Sequence, residues 1–291
     1  MSPSAHRCYR LHLPPAASSA PVVFDSPHSG MEWPADFRPV APRAAVLTTW
    51  DAFVDELWAE VPARGATLLA AAFPRAYIDV NRAADDIDPS LLAAPWPAPL
   101  ATSDYSRRGM GLIRRLALPG VPMYAQPLAV EEVATRLRDY YRPYREALAA
   151  RLDELHRAHG FVWHVNCQSM KSRGNGMNVD EGALRPDIVV SDRLGRTAQP
   201  AFTRRVADWF AGHGFSVQVN DPYRGGDLVA THGRPAEGRQ SIQIEINRAL
   251  YLDEAACTRG PGFAALRARL GEFAGALCGW AREEMAGATG R

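Results

Sequence analysis

Nothing in this chain points to a thiolate metal site or a disulfide framework. Its four cysteines, Cys8, Cys167, Cys257 and Cys278, are scattered without CxxC spacing, so reduced, ordinary thiols are the expectation. There is no charge excess either. Lys and Arg total 33 against 32 Asp and Glu, and a net +1 provides no field to recruit nucleic acid or an anionic membrane. No run approaches the ~20 apolar residues of a membrane span, and the first 20 residues lack the apolar core of a secretory signal. Internal repeats and Gly/Ser linkers are missing as well. These absences predict a cytoplasmic protein whose partner is a small molecule, and they set no oligomeric state.

What is present is enough apolar material, 47% of 291 residues, to fill a sizeable core. After a Pro/Ala/Ser-rich lead over residues 1–20, the segment from Pro21 to Ser26 reads as a strand that stops at Pro27. Between Thr49 and Val61, Trp50, Phe53, Val54, Leu57 and Trp58 recur at helical spacing, which predicts an amphipathic helix. Ala66 to Ala72 and Ala76 to Val80 read as strands, and residues 85–127, rich in Pro, Gly and Arg, as a long irregular insertion. Val130 to His159 reads as helix, closed by Gly160. Further strands are expected at Phe161 to Cys167, Ile188 to Ser191, Ser216 to Val219 and Ser241 to Asn247. Helices are expected near Ala201 to Gly212 and Gly262 to Met285. Strands alternating with helices indicate a single α/β domain over 21–291 with a mainly parallel or mixed central sheet flanked by helices.

Polar groups collect at the ends of the strand-like segments. Ser241 to Arg248 places Glu245 inside an alternating apolar run, where a carboxylate costs several kcal/mol unless it is paired, so a task such as general acid/base work is indicated. Three more islands share this character: Asp25-Ser-Pro-His28-Ser-Gly30, Ile78-Asp79-Val80-Asn81-Arg82 and His164-Val-Asn166-Cys-Gln168-Ser-Met170. His28 can bond its local backbone or bind a metal. Asp51 can be a hard oxygen donor or a charge at a helix N-terminus, with Asp55 and Glu56 as competitors. Arg82 can hold a substrate carboxylate with Asn81 fixing its orientation, or form a structural Arg/Asp pair. Arg224, beside Gly225 and Gly226, and the loop histidine His232 are further candidates for ligand and oxyanion contacts.

In this order, the Pro27 to Gly30, Thr49 to Asp51, Asp79 to Arg82, Asn166 to Met170, Arg224 to Gly226, Thr231 to Gly233 and Gln243 to Glu245 patches resemble the N-formylglutamate amidohydrolase (N-formylglutamate deformylase) family. That family is related in fold to the zinc carboxypeptidases and aspartoacylase. The match runs from about Val22 to Asp253. It implies a zinc-carboxypeptidase-like fold and zinc-dependent, or other divalent-metal-dependent, release of formate from N-formyl-L-glutamate, a step of histidine breakdown. By resemblance His28, Asp51 and a residue of the Asn166 to Met170 segment, at Gln168, bind the metal. Glu245 acts as general base, Asn81, Arg82 and Arg224 hold the substrate, and His232 steadies the oxyanion. Where the family reads Asp/Asn-x-His-Ser, this chain reads Asn166-Cys-Gln168-Ser169, with a carboxamide in place of an imidazole. An amide oxygen is the poorer zinc donor, so a metal-poor protein that binds acylated amino acids is the alternative expectation.

Overall fold

The computed structural model describes residues 8–289. In chain order its strands are β1 (Tyr9–His12), β2 (Val22–Ser26), β3 (Thr67–Ala71), β4 (Leu116–Leu118), β5 (Val121–Pro122), β6 (Val162–Met170), β7 (Ile188–Ser191), β8 (Val217–Val219), β9 (Arg239–Asn247), β10 (Leu252–Asp253) and β11 (Thr258–Arg259). Its α-helices are α1 (Arg43–Leu47), α2 (Val54–Leu57), α3 (Val61–Arg64), α4 (Asp104–Arg107), α5 (Val130–Arg136), α6 (Arg142–His159), α7 (Pro200–Gly212), α8 (Asp227–His232) and α9 (Phe263–Thr289). Residues 1–7 of the expected lead lie outside the described residues, and its later part includes β1.

The main sheet has the order β1-β3-β2-β6-β9-β7-β8. Strands β2, β6 and β9 run parallel, β7 is antiparallel to β9, and β8 is parallel to β7. The expected mixed, mostly parallel α/β sheet is therefore present. Chain contacts divide into two compact units. One takes in residues 8–10, Pro27–Trp50 and Ala70–Ala147; the other takes in Leu11–Ser26, Asp51–Leu69 and residues 148–289.

In the second unit every residue of β6 is buried, as is all of β9 after Arg239. Central strands of a parallel sheet are covered on both faces, which explains the burial. One face is apolar, where Val165 lies beside Ile242 and Cys167 beside Ile244. Phe24 on β2 packs on Trp58 and Phe273, and Phe273 packs on Phe210 of α7, so α9 and α7 seal an aromatic core.

The first unit is built around the segment from Phe73 to Arg82. Tyr77 packs edge-on against Phe37 and Tyr140, and Phe73 against Tyr140. The buried Arg136 guanidinium lies over the Tyr77 ring and donates to the Tyr77 carbonyl and the Tyr124 hydroxyl. Between α5 and α6, Leu137–Tyr141 forms a π-helical turn, and Gly160 closes the helix with φ 77°, as its position predicted.

Three local expectations are corrected. Thr49 to Val61 is not one helix: Phe53 adopts φ 60°, and only the single turns α2 and α3 form, so helical spacing here recorded burial of Val54, Leu57 and Trp58. Ala76 to Val80 is a sequence of turns rather than a strand. The Tyr77 N–H bonds Pro74 O and the Asp79 N–H bonds Leu112 O, and just beyond, the Arg82 N–H bonds Asp79 O while the Asp79 carboxylate takes the Asn81 N–H, so these donors serve turns and a loop contact instead of a ladder. His232 ends α8 instead of lying in a loop. The insertion over 85–127 holds only short elements, as expected.

Candidate functional site

Alternation puts residues i and i+2 of a strand on one face. In β6 and β9 this aligns three polar rungs: His164 beside Ser241, Asn166 beside Gln243, and Gln168 beside Glu245. Each of these six side chains is buried, and an unbonded buried polar group costs about 2–7 kcal/mol. Hydrogen bonds remove that cost. His164 bonds Ser241 Oγ through Nδ1 at 2.7 Å and Asp25 Oδ1 through Nε2 at 2.8 Å. Asn166 Nδ2 donates to the same Asp25 oxygen at 2.7 Å, and Gln168 Nε2 donates to Asn166 Oδ1. On β9, Gln243 Nε2 donates to Glu245 Oε1 at 2.8 Å, and Gln243 Oε1 accepts the Gly226 N–H at 2.9 Å. Glu245 and Gln168 thus stand as a register pair at the carboxyl end of parallel strands, where ligands of open α/β sheets bind.

Asp51 lies in the same unit, 1% exposed. Its Oδ1 accepts from Arg248 Nη2 at 2.8 Å and its Oδ2 from the Ser169 N–H at 3.4 Å, while Arg248 Nε donates to Ser169 Oγ. The helix-terminus reading of Asp51 is replaced by a buried ion pair, because the chain at Asp51 precedes the left-handed Phe53. Asp55 is partly exposed, and Glu56 pairs with Arg259 at the surface. His232 sets its ring edge-on against His164, with centroids 5.8 Å apart. Arg224 is exposed, and its carbonyl accepts the Arg193 N–H.

The first unit contains the other polar centre. His28 Nε2 donates to Asp79 Oδ1 at 2.7 Å, with both side chains fully buried. Asp79 Oδ2 accepts from Arg75 Nη2 at 2.6 Å, so the structural Arg/Asp pair exists but Arg75, not Arg82, forms it. Burial would push the Asp79 carboxyl up, yet Arg75, His28 and Arg82 hold it well below the usual carboxylate range. Asn81 is buried. Arg82 lies over the Tyr105 ring at 4.1 Å and donates Nε to Met110 O and Nη1 to Asn81 O, which pre-sets the guanidinium plane. The Asp79 to Arg82 turn is fixed from outside by Tyr141 Oη on Arg82 O and Arg145 on Val80 O. Gly30 follows His28 because a Cβ there would meet Ala72 C at 2.3 Å.

Four positions carry roles that residue patterns alone did not assign: Asp79 as anchor of His28, Arg248 as counter-ion of Asp51, Asp25 as the acceptor joining His164 to Asn166, and Gln243 as partner of Glu245. All four fall in or beside the polar islands of the sequence, and the period-2 spacing of Ser241, Gln243 and Glu245 was the available signal. The three buried thiols offer no competing nucleophile, since burial pushes Cys8 and Cys278 up to about 11 and Cys167 well above its ordinary value.

The donor chemistry bears on a metal. Metal-ligating histidines usually give their second ring nitrogen to a carboxylate, and His28 gives Nε2 to Asp79 in that manner. Asp51 adds a carboxylate already offset by Arg248, and Gln168, with its NH2 turned to Asn166, presents Oε1. Among the described residues no group of three or more His, Cys, Asp or Glu is placed to hold a metal. By donor chemistry, one imidazole with oxygen atoms is a weaker zinc set than one with two imidazoles.

Known proteins match this chain over most of their length. A family model described as N-formylglutamate amidohydrolase matches residues 20–252. An N-formylglutamate deformylase of Pseudomonas aeruginosa is 28% identical over 272 residues, covering 91% of this chain and 96% of that protein. One of Pseudomonas putida is 26% identical over 238 residues, covering 80% and 82%. The crystal structure of an N-formylglutamate amidohydrolase from Ralstonia eutropha JMP134 superposes with a TM-score of 0.89 at 40% identity, covering 95% of this chain and 99% of that one. A gene product of Agrobacterium tumefaciens shares the fold at a TM-score of 0.64 and 19% identity, covering 96% of each chain. The chain belongs to the N-formylglutamate amidohydrolase family.

Proposed function

We propose that this protein hydrolyses the formamide bond of N-formyl-L-glutamate, giving formate and L-glutamate, as the names of its relatives indicate for them. The observation that carries the reading is Glu245, a carboxylate held by Gln243 at the carboxyl end of a buried central strand. A water molecule loses its proton to Glu245 and adds through oxygen to the formyl carbon. The tetrahedral adduct then expels the amine, and the Glu245 carboxyl returns the proton to the departing nitrogen. Arg82, its plane already set, binds a glutamate carboxylate through its remaining N–H groups, with Asn81 beside it in sequence and Arg224 as the second cation. His232 is the candidate donor to the oxyanion.

Zinc or another divalent ion is proposed as cofactor, with His28 as nitrogen donor and Asp51 and Gln168 as oxygen donors; when bound it would polarise the formyl oxygen and lower the pKa of its water towards ~7. Scattered free thiols support a cytoplasmic setting, and the near-neutral charge supports a small-molecule partner rather than nucleic acid. No described helix is long and apolar enough to cross a membrane. The test is free formate from N-formyl-L-glutamate with zinc- or cobalt-loaded protein. Turnover that falls about 10²–10⁴-fold in Glu245→Gln supports the assignment. No formate with either metal, or full activity in Glu245→Gln, overturns it, and a panel of other N-acyl amino acids sets the acyl group.

Gln168 and the Asp51–Arg248 pair favour a second reading, a metal-poor protein that binds an acylated amino acid without cleaving it. Calorimetric binding of N-formyl-L-glutamate that persists in chelator, without formate release, would select it.

A further inference from the structure

We propose that Gln243 is a positioning residue for Glu245, and that the Tyr223 to Asp227 turn serves to aim Gln243. This rests on the reading of Glu245 as the base that activates water. The two ends of the Gln243 amide have opposite polarity, and both are claimed. The Gly226 N–H can only donate, so the oxygen of the amide must face it, at 2.9 Å. The NH2 is thereby turned to Glu245 Oε1, at 2.8 Å. A flipped amide would set NH2 against N–H and oxygen against carboxylate, so one orientation is selected.

Rotation of a glutamate carboxylate about its last torsion is soft and broad, unlike its staggered inner torsions. A charge-assisted bond to one oxygen fixes that plane, and the Gln243 amide supplies it from two residues away on the same strand face. The Gly226 N–H is itself delivered by a constrained turn. Gly225 has φ +98°, and a Cβ there would meet Val229 Cγ2 at 2.8 Å. Arg193 clamps the same turn, donating its N–H to Arg224 O and Nη1 to Gly225 O. The Arg-Gly-Gly motif thus sets a backbone donor, which sets an amide, which sets the carboxylate. A 1 Å misplacement in such a chain can cost about 10²-fold in rate.

The experiment is a double-mutant cycle on the metal-loaded enzyme, reading kcat and KM for N-formyl-L-glutamate in wild type, Gln243→Leu, Glu245→Gln and the double variant. Gln243→Leu should lower kcat roughly 10–100-fold with KM within about threefold. In the Glu245→Gln background it should cost less than about twofold, because no base remains to be oriented. Equal losses in both backgrounds would mean that Gln243 only satisfies the interior, and would overturn the proposal. Gln243→Met repeats the cycle if the leucine variant does not fold. Crystal structures of wild type and the Gln243 variant decide the matter independently of turnover. A Glu245 carboxylate plane rotated or disordered in the variant supports the proposal, and an unchanged plane overturns it. A wild type that releases no formate refutes the function proposed above while leaving this structural comparison decisive.

Discussion

Replacing Arg248 by methionine removes the guanidinium that neutralises Asp51 and leaves a carboxylate that is 1% exposed without its counter-ion. Breaking a buried pair from one side costs about 3–5 kcal/mol, far more than the pair itself is worth relative to apolar residues. For a chain of this size, at about 2 °C per kcal/mol, that is a fall in melting temperature of roughly 6–10 °C. Urea unfolding followed by tryptophan fluorescence reports it, since Trp58 is buried in the unit that holds the pair. The Asp51→Asn/Arg248→Met double variant should recover most of the loss, because neither charge then lies buried alone. If Asp51 also accepts a metal, zinc at about a hundred times its Kd should return about 2.7 kcal/mol to Arg248→Met, whose Asp51 carboxylate no longer faces the Arg248 guanidinium. A single variant within about 1 kcal/mol of wild type, or a double variant as unstable as the single, would refute the reasoning.

Three other outcomes are expected. Gln168→His should tighten zinc binding at least tenfold by calorimetry, since imidazole is the better zinc donor; equal metal content in the two proteins would remove residue 168 from the metal assignment. The Asp79 carboxyl is held below its ordinary 3.8 in the folded state, so its contribution to stability is complete above that value and lost as pH falls through the folded pKa. Asp79→Asn should therefore be less stable than wild type at pH 7, with the difference shrinking on acidification below about pH 4; a constant difference in urea midpoints between pH 7 and pH 3 would contradict the assignment. Gly30→Ala should destabilise by about 3 kcal/mol or more, because its Cβ would meet the backbone of Ala71 and Ala72 inside 2.5 Å; an unchanged thermal midpoint would contradict that packing.

The fold class was legible because strand and helix periodicities are local properties, and β2, β6, β7, β9, α6, α7 and α9 lie where the patterns placed them. Failures came where backbone and side chains competed for the same hydrogen bonds. At Ala76 to Val80 apolar content promised a strand, but the Tyr77 N–H closes a turn on Pro74 O and the Asp79 N–H goes to Leu112 O instead of to a neighbouring strand. At Phe53 a single left-handed residue divided a stripe whose burial was read correctly.

By itself the sequence determined which residues are chemical: Glu245 in an apolar strand, His28 and Asp51 beside strand or helix signals, and an amide at Gln168. Only the tertiary structure decided their partners. Asp79 for His28, Arg248 for Asp51, Asp25 for Asn166 and the Gly226 N–H for Gln243 lie between 17 and 197 residues away, where Gly226 to Gln243 is the nearest and Asp51 to Arg248 the farthest. The physical reason is that a polar side chain in the interior must find a complementary group. Composition and spacing show that the debt exists, and the meeting of distant strands and turns selects the group that settles it.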